Sequence, residues 1–118
     1  MGRVLIVDDA AFMRSSIRMM LERNGLEVCG EAENGAVAVK RFQELMPDLV
    51  TLDITMPEMD GVHALKEIMR IAPAAKVIMV SAMGQEHLVR EAVMSGAKGF
   101  IVKPFKEDAL MSSIRKLI

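Results

Sequence analysis

The chain has 118 residues, 52% hydrophobic and 26% charged, with 15 Lys and Arg against 16 Asp and Glu for a formal net charge of −1. Size and composition predict one soluble globular domain and exclude a disordered chain. The charge balance excludes the basic surface that nucleic acid or an anionic membrane would require, and the lone Cys29 excludes an internal disulfide or a cysteine metal cluster.

Residues 4–7 (VLIV) predict a buried strand that runs straight into two adjacent carboxylates, Asp8 and Asp9. A helical pattern follows, with Met13, Ile17, Met20 and Leu21 on one face, Arg14, Arg18 and Glu22 on another, and Gly25 placed to end it. EVCGEA is a weaker strand. GAVAVKRFQELMP predicts a helix with Val39, Phe42 and Met46 turned inward and Pro47 stopping it. LVTL (49–52) is a strand ending at Asp53, and DGVHALKEIMRIAP a helix with Leu65, Ile68 and Ala72 on one face and Asp60 as N-cap. KVIMVS, EHLVREAVMSG, GFIVKP and KEDALMSSIRKLI complete the chain as strand, helix, strand and helix. Twelve methionines and no Trp or Tyr predict an adaptable aliphatic core, with Met mainly as gap filler and a Met-lined groove as the alternative.

Five strand–helix units with continuous apolar strands predict an α/β domain, its parallel sheet covered by helices on both faces. No apolar run reaches the ~20 residues of a membrane span, and MGRVLIV meets Asp8 too soon for a secretory signal. The expected location is the cytoplasm, with Cys29 packed as a thiol.

In a parallel sheet the strand ends gather along one edge, where ligands of open α/β sheets bind. Those ends carry Asp8 and Asp9, Asp53, Ser81 and Lys103. Two unit charges ~4 Å apart repel by about 4 kcal/mol at an effective dielectric of 20, so three carboxylates there need more than one lysine. Oxygen-only donors without His or Cys suit Mg²⁺ rather than zinc, and Mg²⁺ points to phosphoryl chemistry. Asp8 and Asp9 are placed to hold the metal. Asp53, alone at its strand end, is the better nucleophile toward phosphorus, giving an aspartyl phosphate. Ser81 and Lys103 can stabilise phosphoryl oxygens.

Each residue alone also fits a structural role. Asp9 could cap the first helix, Asp53 could form a turn, and Lys103 could be a solvated turn residue. GEAENGAV has two glycines at the interval of a phosphate loop, but Ala36 and Val37 stand where Lys and Ser or Thr belong. His63 and His87 are single and predicted on helix surfaces.

The segments LIVDDAAFMR, LDITMPEMDG, VSAMGQ and IVKPF, in this order and spacing, resemble a response-regulator receiver domain over essentially the whole chain, residues 1–118. Among receivers the sequence is most similar to the single-domain chemotaxis regulators. The resemblance implies a flavodoxin-like (βα)5 fold with strand order 2-1-3-4-5. It implies Asp53 as phosphoacceptor, charged by a histidine kinase of the chemotaxis type. Mg²⁺ would be bound by Asp8 and Asp9, with Asp53 and the backbone carbonyl of Thr55 as further ligands. Ser81 would be the switch hydroxyl, Lys103 the phosphate-pairing lysine, Phe100 the aromatic switch, and the Lys103–Pro104 bond cis. Catalysis would extend only to the domain's own phosphorylation and self-dephosphorylation.

The implied output is a changed affinity of the face made by the fourth helix, fifth strand and fifth helix for a partner such as a flagellar motor switch protein. A phosphatase is a further implied partner class, and the domain is expected to be monomeric, with no nucleic-acid or membrane partner of its own. One alternative is a receiver cut from a longer transcriptional regulator. The remote one is a Mg²⁺-dependent aspartyl-phosphate phosphohydrolase, although such enzymes use D-x-D where this chain has adjacent aspartates.

Overall fold

A computed structural model describes residues 2–118. Ten elements alternate without exception: β1 (Arg3–Val7), α1 (Ala11–Arg23), β2 (Glu27–Ala32), α2 (Gly35–Leu45), β3 (Leu49–Asp53), α3 (Gly61–Ile71), β4 (Val77–Ser81), α4 (Glu86–Met94), β5 (Gly99–Val102) and α5 (Glu107–Arg115). The strands form one sheet in the order β2-β1-β3-β4-β5, and every pairing is parallel. The expected α/β architecture and strand order are those observed.

Successive side chains of a strand point to opposite faces, so each continuous apolar run feeds two cores. Leu5, Val7, Val50, Leu52, Val77 and Met79 pack beneath α2, α3 and α4 with Phe42, Leu65, Ile68 and Ala92. Val4, Ile6, Leu49, Ile78, Val80 and Ile101 pack beneath α1 and α5 with Ile17, Leu21, Leu110 and Ile114. β3 and β4 are buried at all five positions, whereas the edge strands β2 and β5 are only partly covered.

Local signals set the helix ends. Asn24 ends α1 and Gly25 follows at φ +82°. There the Leu26 and Gly25 amides donate to Leu21 O and Glu22 O, both at 3.1 Å, the paired bonds of a left-handed glycine terminus. Asp60 caps α3 by accepting the His63 amide at 2.9 Å, and Asn34 caps α2 by accepting that of Val37 at 2.8 Å.

Two expectations need correction. Met46 does not turn inward: α2 ends at Leu45, and Met46 adopts a left-handed conformation (φ 44°) ahead of Pro47 and is exposed. Ala38, Phe42 and Leu45 fill the space instead. Asp9 does not cap α1, whose N-cap is Ala10 with no side-chain bond. Gap filling describes Met56, Met79 and Met111, which are buried, but Met19, Met46, Met83 and Met94 are exposed.

Thr51 lies in β3 between Ile6 of β1 and Ile78 of β4, fully buried with no partner for its hydroxyl. An unsatisfied buried hydroxyl costs about 1–3 kcal/mol, and an apolar group of the same shape avoids that penalty. Thr51→Val is expected to raise stability by about 1 kcal/mol, read as a higher urea midpoint at unchanged slope.

Candidate functional site

β1 has β2 on one side and β3 on the other, so the chain's direction of winding reverses between β1 and β3. Ligands of open α/β sheets bind outside the strand ends at such a point. Asp8 follows β1 and Asp53 closes β3 next to it, since Val7 pairs with Leu52. Asp8, Asp9 and Asp53 each present a carboxylate oxygen within 4.8 Å of the others. Asp8 and Asp53 are buried, whereas Asp9 faces solvent.

Lys103 reaches this cluster from the end of β5. Its Nζ donates to Asp8 Oδ2 at 3.0 Å and stands 3.5 Å from Asp53 Oδ1. The reach is fixed by its backbone, whose amide donates to Ser81 O at 2.7 Å, and the following bond to Pro104 is cis. Asp8 is oriented from three sides: its Oδ1 accepts the Ala10 amide at 2.9 Å, Lys103 holds the other oxygen, and Arg14 Nη1 donates to its main-chain carbonyl at 2.6 Å. Arg14 is itself paired with Glu31 at 3.0 Å.

One lysine does not balance three carboxylates, and Asp53 carries the deficit. Burial pushes its carboxyl up to about 6; the neighbouring charges of Asp8 and Asp9 add to this, and Lys103 only partly offsets it. Burial also works against the Lys103 ammonium, but its hydrogen bond to Asp8 and the charges of Asp53 and Asp8 outweigh that and hold it above its ordinary value.

Ser81 ends β4, buried, and its hydroxyl donates to Ile101 O at a long 3.4 Å. Phe100 lies on β5 half exposed. Ser81 and Phe100 share the lining of one apolar cavity of about 610 Å³, walled by Met83, Val89, Val93 and Met94. Thr55, in the loop after β3, is exposed, and its carbonyl accepts no hydrogen bond among the described residues. His63 and His87 are exposed on α3 and α4, away from the acidic cluster.

Sequence reasoning placed Arg14 on an outer face and passed over Gln85. Gln85 Oε1 accepts the Ala82 amide at 2.7 Å, and its Nε2 donates to Thr55 Oγ1. The Thr55 contact joins segments that only the fold brings together, whereas the Ala82 contact is local, spanning three residues, and went unread.

An acidic pocket at the reversal point of a 2-1-3-4-5 sheet, with a lysine across it, defines a class, and residues 4–115 match the family described as Response regulator receiver domain. The chain belongs to that family. Two curated relatives are the "Chemotaxis protein CheY" of Bacillus subtilis (strain 168), 59% identical over 98% of this chain and 97% of its own length, and that of Thermotoga maritima, 56% identical over 98% and 96%. A solved structure described as the CheX-CheY-BeF3-Mg+2 complex from Borrelia burgdorferi superposes with a TM-score of 0.93 at 39% identity, covering 97% of this chain and 87% of that one. The chain is therefore a CheY-like receiver domain of a two-component response regulator of the chemotaxis type, a signalling protein and not a conventional enzyme. No helix in the described residues is long and apolar enough to cross a membrane.

Proposed function

We propose that residues 1–118 form one receiver domain that accepts a phosphoryl group on Asp53 from the phosphohistidine of a chemotaxis-type histidine kinase. The observation that carries the reading is the combination at Asp53: a buried carboxylate at the strand-order reversal, 3.5 Å from Lys103 and grouped with two further carboxylates. An Asp53 oxygen attacks phosphorus, the phosphorus–nitrogen bond breaks, and the histidine leaves with the electron pair. A carboxyl with a pKa near 6 is ionised, and so nucleophilic, at neutral pH. Lys103 lies where it can pair with a phosphoryl oxygen, and the Ser81 hydroxyl, held by one long bond, can turn to another. Water attack on the same phosphorus later returns the free carboxylate.

The residues fit a resident Mg²⁺ ion. Asp8, Asp9 and Asp53 supply oxygen donors with one solvent-facing member, and the Thr55 carbonyl, which accepts no hydrogen bond among the described residues, is the proposed fourth donor that the family resemblance implies. Bound there, the ion would neutralise charge on carboxylate and phosphoryl oxygens.

The output follows from the shared cavity. When Ser81 turns toward Asp53, space opens beside Phe100, and packing of that ring inward alters the surface of α4, β5 and α5. A flagellar motor switch protein is the proposed partner, supported by the names of the curated relatives. A CheX-like protein is a second partner, supported by the Borrelia complex. Cytoplasmic action is consistent with Cys29 as a free thiol.

The deciding experiment is intact mass after incubation with acetyl phosphate, with and without Mg²⁺. One Mg²⁺-dependent phosphoryl adduct on the native protein, absent from Asp53→Asn, is the expected result. No adduct on folded, Mg²⁺-bound protein would leave the family fold without the chemistry.

A further inference from the structure

The two loops that flank the acidic edge are joined by a single side chain. Gln85 binds the Ala82 amide through Oε1 and Thr55 Oγ1 through Nε2. Ala82 directly follows Ser81, and Thr55 stands two residues beyond Asp53. The main-chain carbonyl of Gln85 also accepts the Leu88 and Val89 amides of the first turn of α4, each at 3.0 Å. One residue thus connects the segment after the phosphoacceptor, the segment after the switch hydroxyl and the start of α4. The loop between them has few other restraints. Met83 is 79% exposed, Gly84 has φ +88° with nothing within 4 Å of an added Cβ, and α4 has no side-chain cap of its own.

We propose that Gln85 is a positioning residue: its carboxamide latches the β4–α4 loop in its unphosphorylated place, and phosphorylation of Asp53 works against that latch. For Ser81 to serve a phosphoryl group on Asp53, the end of β4 must shift, and Ala82 is carried with it. The Ala82 amide is spent on Gln85 before phosphorylation. A charged phosphoryl oxygen is a stronger acceptor than a carboxamide oxygen, so the amide exchanges one partner for the other. Gln85 then loses its hold on the loop, and the start of α4 is released through the same residue. Only a contact present in one state and absent from the other shifts the balance between them, and the Gln85–Ala82 bond is such a contact. Loss of the latch therefore favours the phosphorylated arrangement.

The inference rests on Asp53 being the phosphoacceptor, and one experiment separates the two. The rate of phosphoryl uptake from acetyl phosphate with Mg²⁺ is measured by intact mass for the native protein, Gln85→Ala, Thr55→Val and the double variant, alongside thermal midpoints and hydrogen exchange at the Ala82 amide. Each single variant is expected to raise the rate by about 2- to 10-fold, the size of one net hydrogen bond. The double variant should gain no more than the larger single, because both cut one bridge, and the Ala82 amide should exchange faster in all three. Thr55→Val breaks the bridge from its other end and carries the test if Gln85→Ala folds poorly. Unchanged or slower uptake overturns the latch, as does a lower thermal midpoint without a rate change, which marks a merely structural bridge. No adduct on the native protein overturns the phosphoacceptor reading and the latch together.

Discussion

Asp53→Asn should be more stable than the native protein at pH 7.5 without metal, by about 2 kcal/mol, and the difference should vanish near pH 4. Asp53 lies at about 6 in the folded protein against an ordinary 3.8. A carboxyl raised on folding binds its proton more tightly in the folded state, so folding takes up a proton between pH ~4 and ~6. The stability linked to that proton is fully present below the unfolded value and is lost as pH rises through the folded one. At about 1.4 kcal/mol per unit, a rise from 3.8 to about 6 amounts to about 3 kcal/mol. The Asp53 side chain is only 7% exposed, so solvent screening removes little of it. Asparagine keeps the shape without the charge, and burial of its own amide returns part of the gain.

Urea unfolding of both proteins from pH 4 to 8 tests this. The native curve should fall with pH while the variant stays nearly flat, and Mg²⁺ should narrow the gap by neutralising the native cluster. Parallel curves across that range would mean that neither burial nor the neighbouring carboxylates raise the Asp53 carboxyl. The same destabilisation bears on function, because a site that is least stable when ionised and empty gains most from a cation or a phosphoryl group brought to it.

The strand-end convergence was legible because it depends only on order and period. A parallel sheet brings the residues after VLIV, LVTL, VIMV and FIV to one edge whatever the loops do, and the structure places Asp8, Asp53, Ser81 and Lys103 there. Strand order is not contained in that argument and came from resemblance alone. Asp60 was legible as a cap because its bond to the His63 amide spans three residues. Contacts between distant loops were not. Gln85 meets Thr55 thirty positions away, and the Arg14 bond to the Asp8 carbonyl depends on how the β1–α1 turn folds back. Met46 was misplaced because helical period was continued one residue past the end of α2, onto the residue where the backbone turns left-handed. A glycine can be equally silent, since its role is set by what stands beside it.

Gly61→Ala is expected to cost the fold heavily. Gly61 opens α3 directly after its Asp60 cap. A Cβ added there would lie 2.0 Å from Asp53 O, 2.7 Å from Ile54 Cα and 2.8 Å from Asp53 C. All three atoms are backbone, so no side chain can swing aside. The Gly61 amide also donates to Ile54 O at 2.6 Å, which draws the start of α3 against the end of β3.

Alanine favours a helix over glycine by about 1 kcal/mol, but overpacking against fixed atoms costs about 1–3 kcal/mol or more. Three contacts of this kind place the net loss at about 3 kcal/mol. Two of the three atoms that must yield belong to Asp53 itself, and the third to Ile54 beside it. Moving the Asp53 backbone displaces its carboxylate, the proposed phosphoacceptor, from Lys103 and from the other two carboxylates, and a misplacement of about 1 Å can cost on the order of a hundredfold in rate. Gly84→Ala provides the contrast: its φ of +88° is strained for alanine, but nothing lies within 4 Å, so its loss should stay near 1 kcal/mol. Urea midpoints together with acetyl-phosphate uptake distinguish the two. A Gly61→Ala protein as stable as Gly84→Ala, with native uptake, would show that α3 can move off β3 without disturbing Asp53. Loss of both stability and uptake would show that Asp53 is positioned by the absence of a side chain eight residues away.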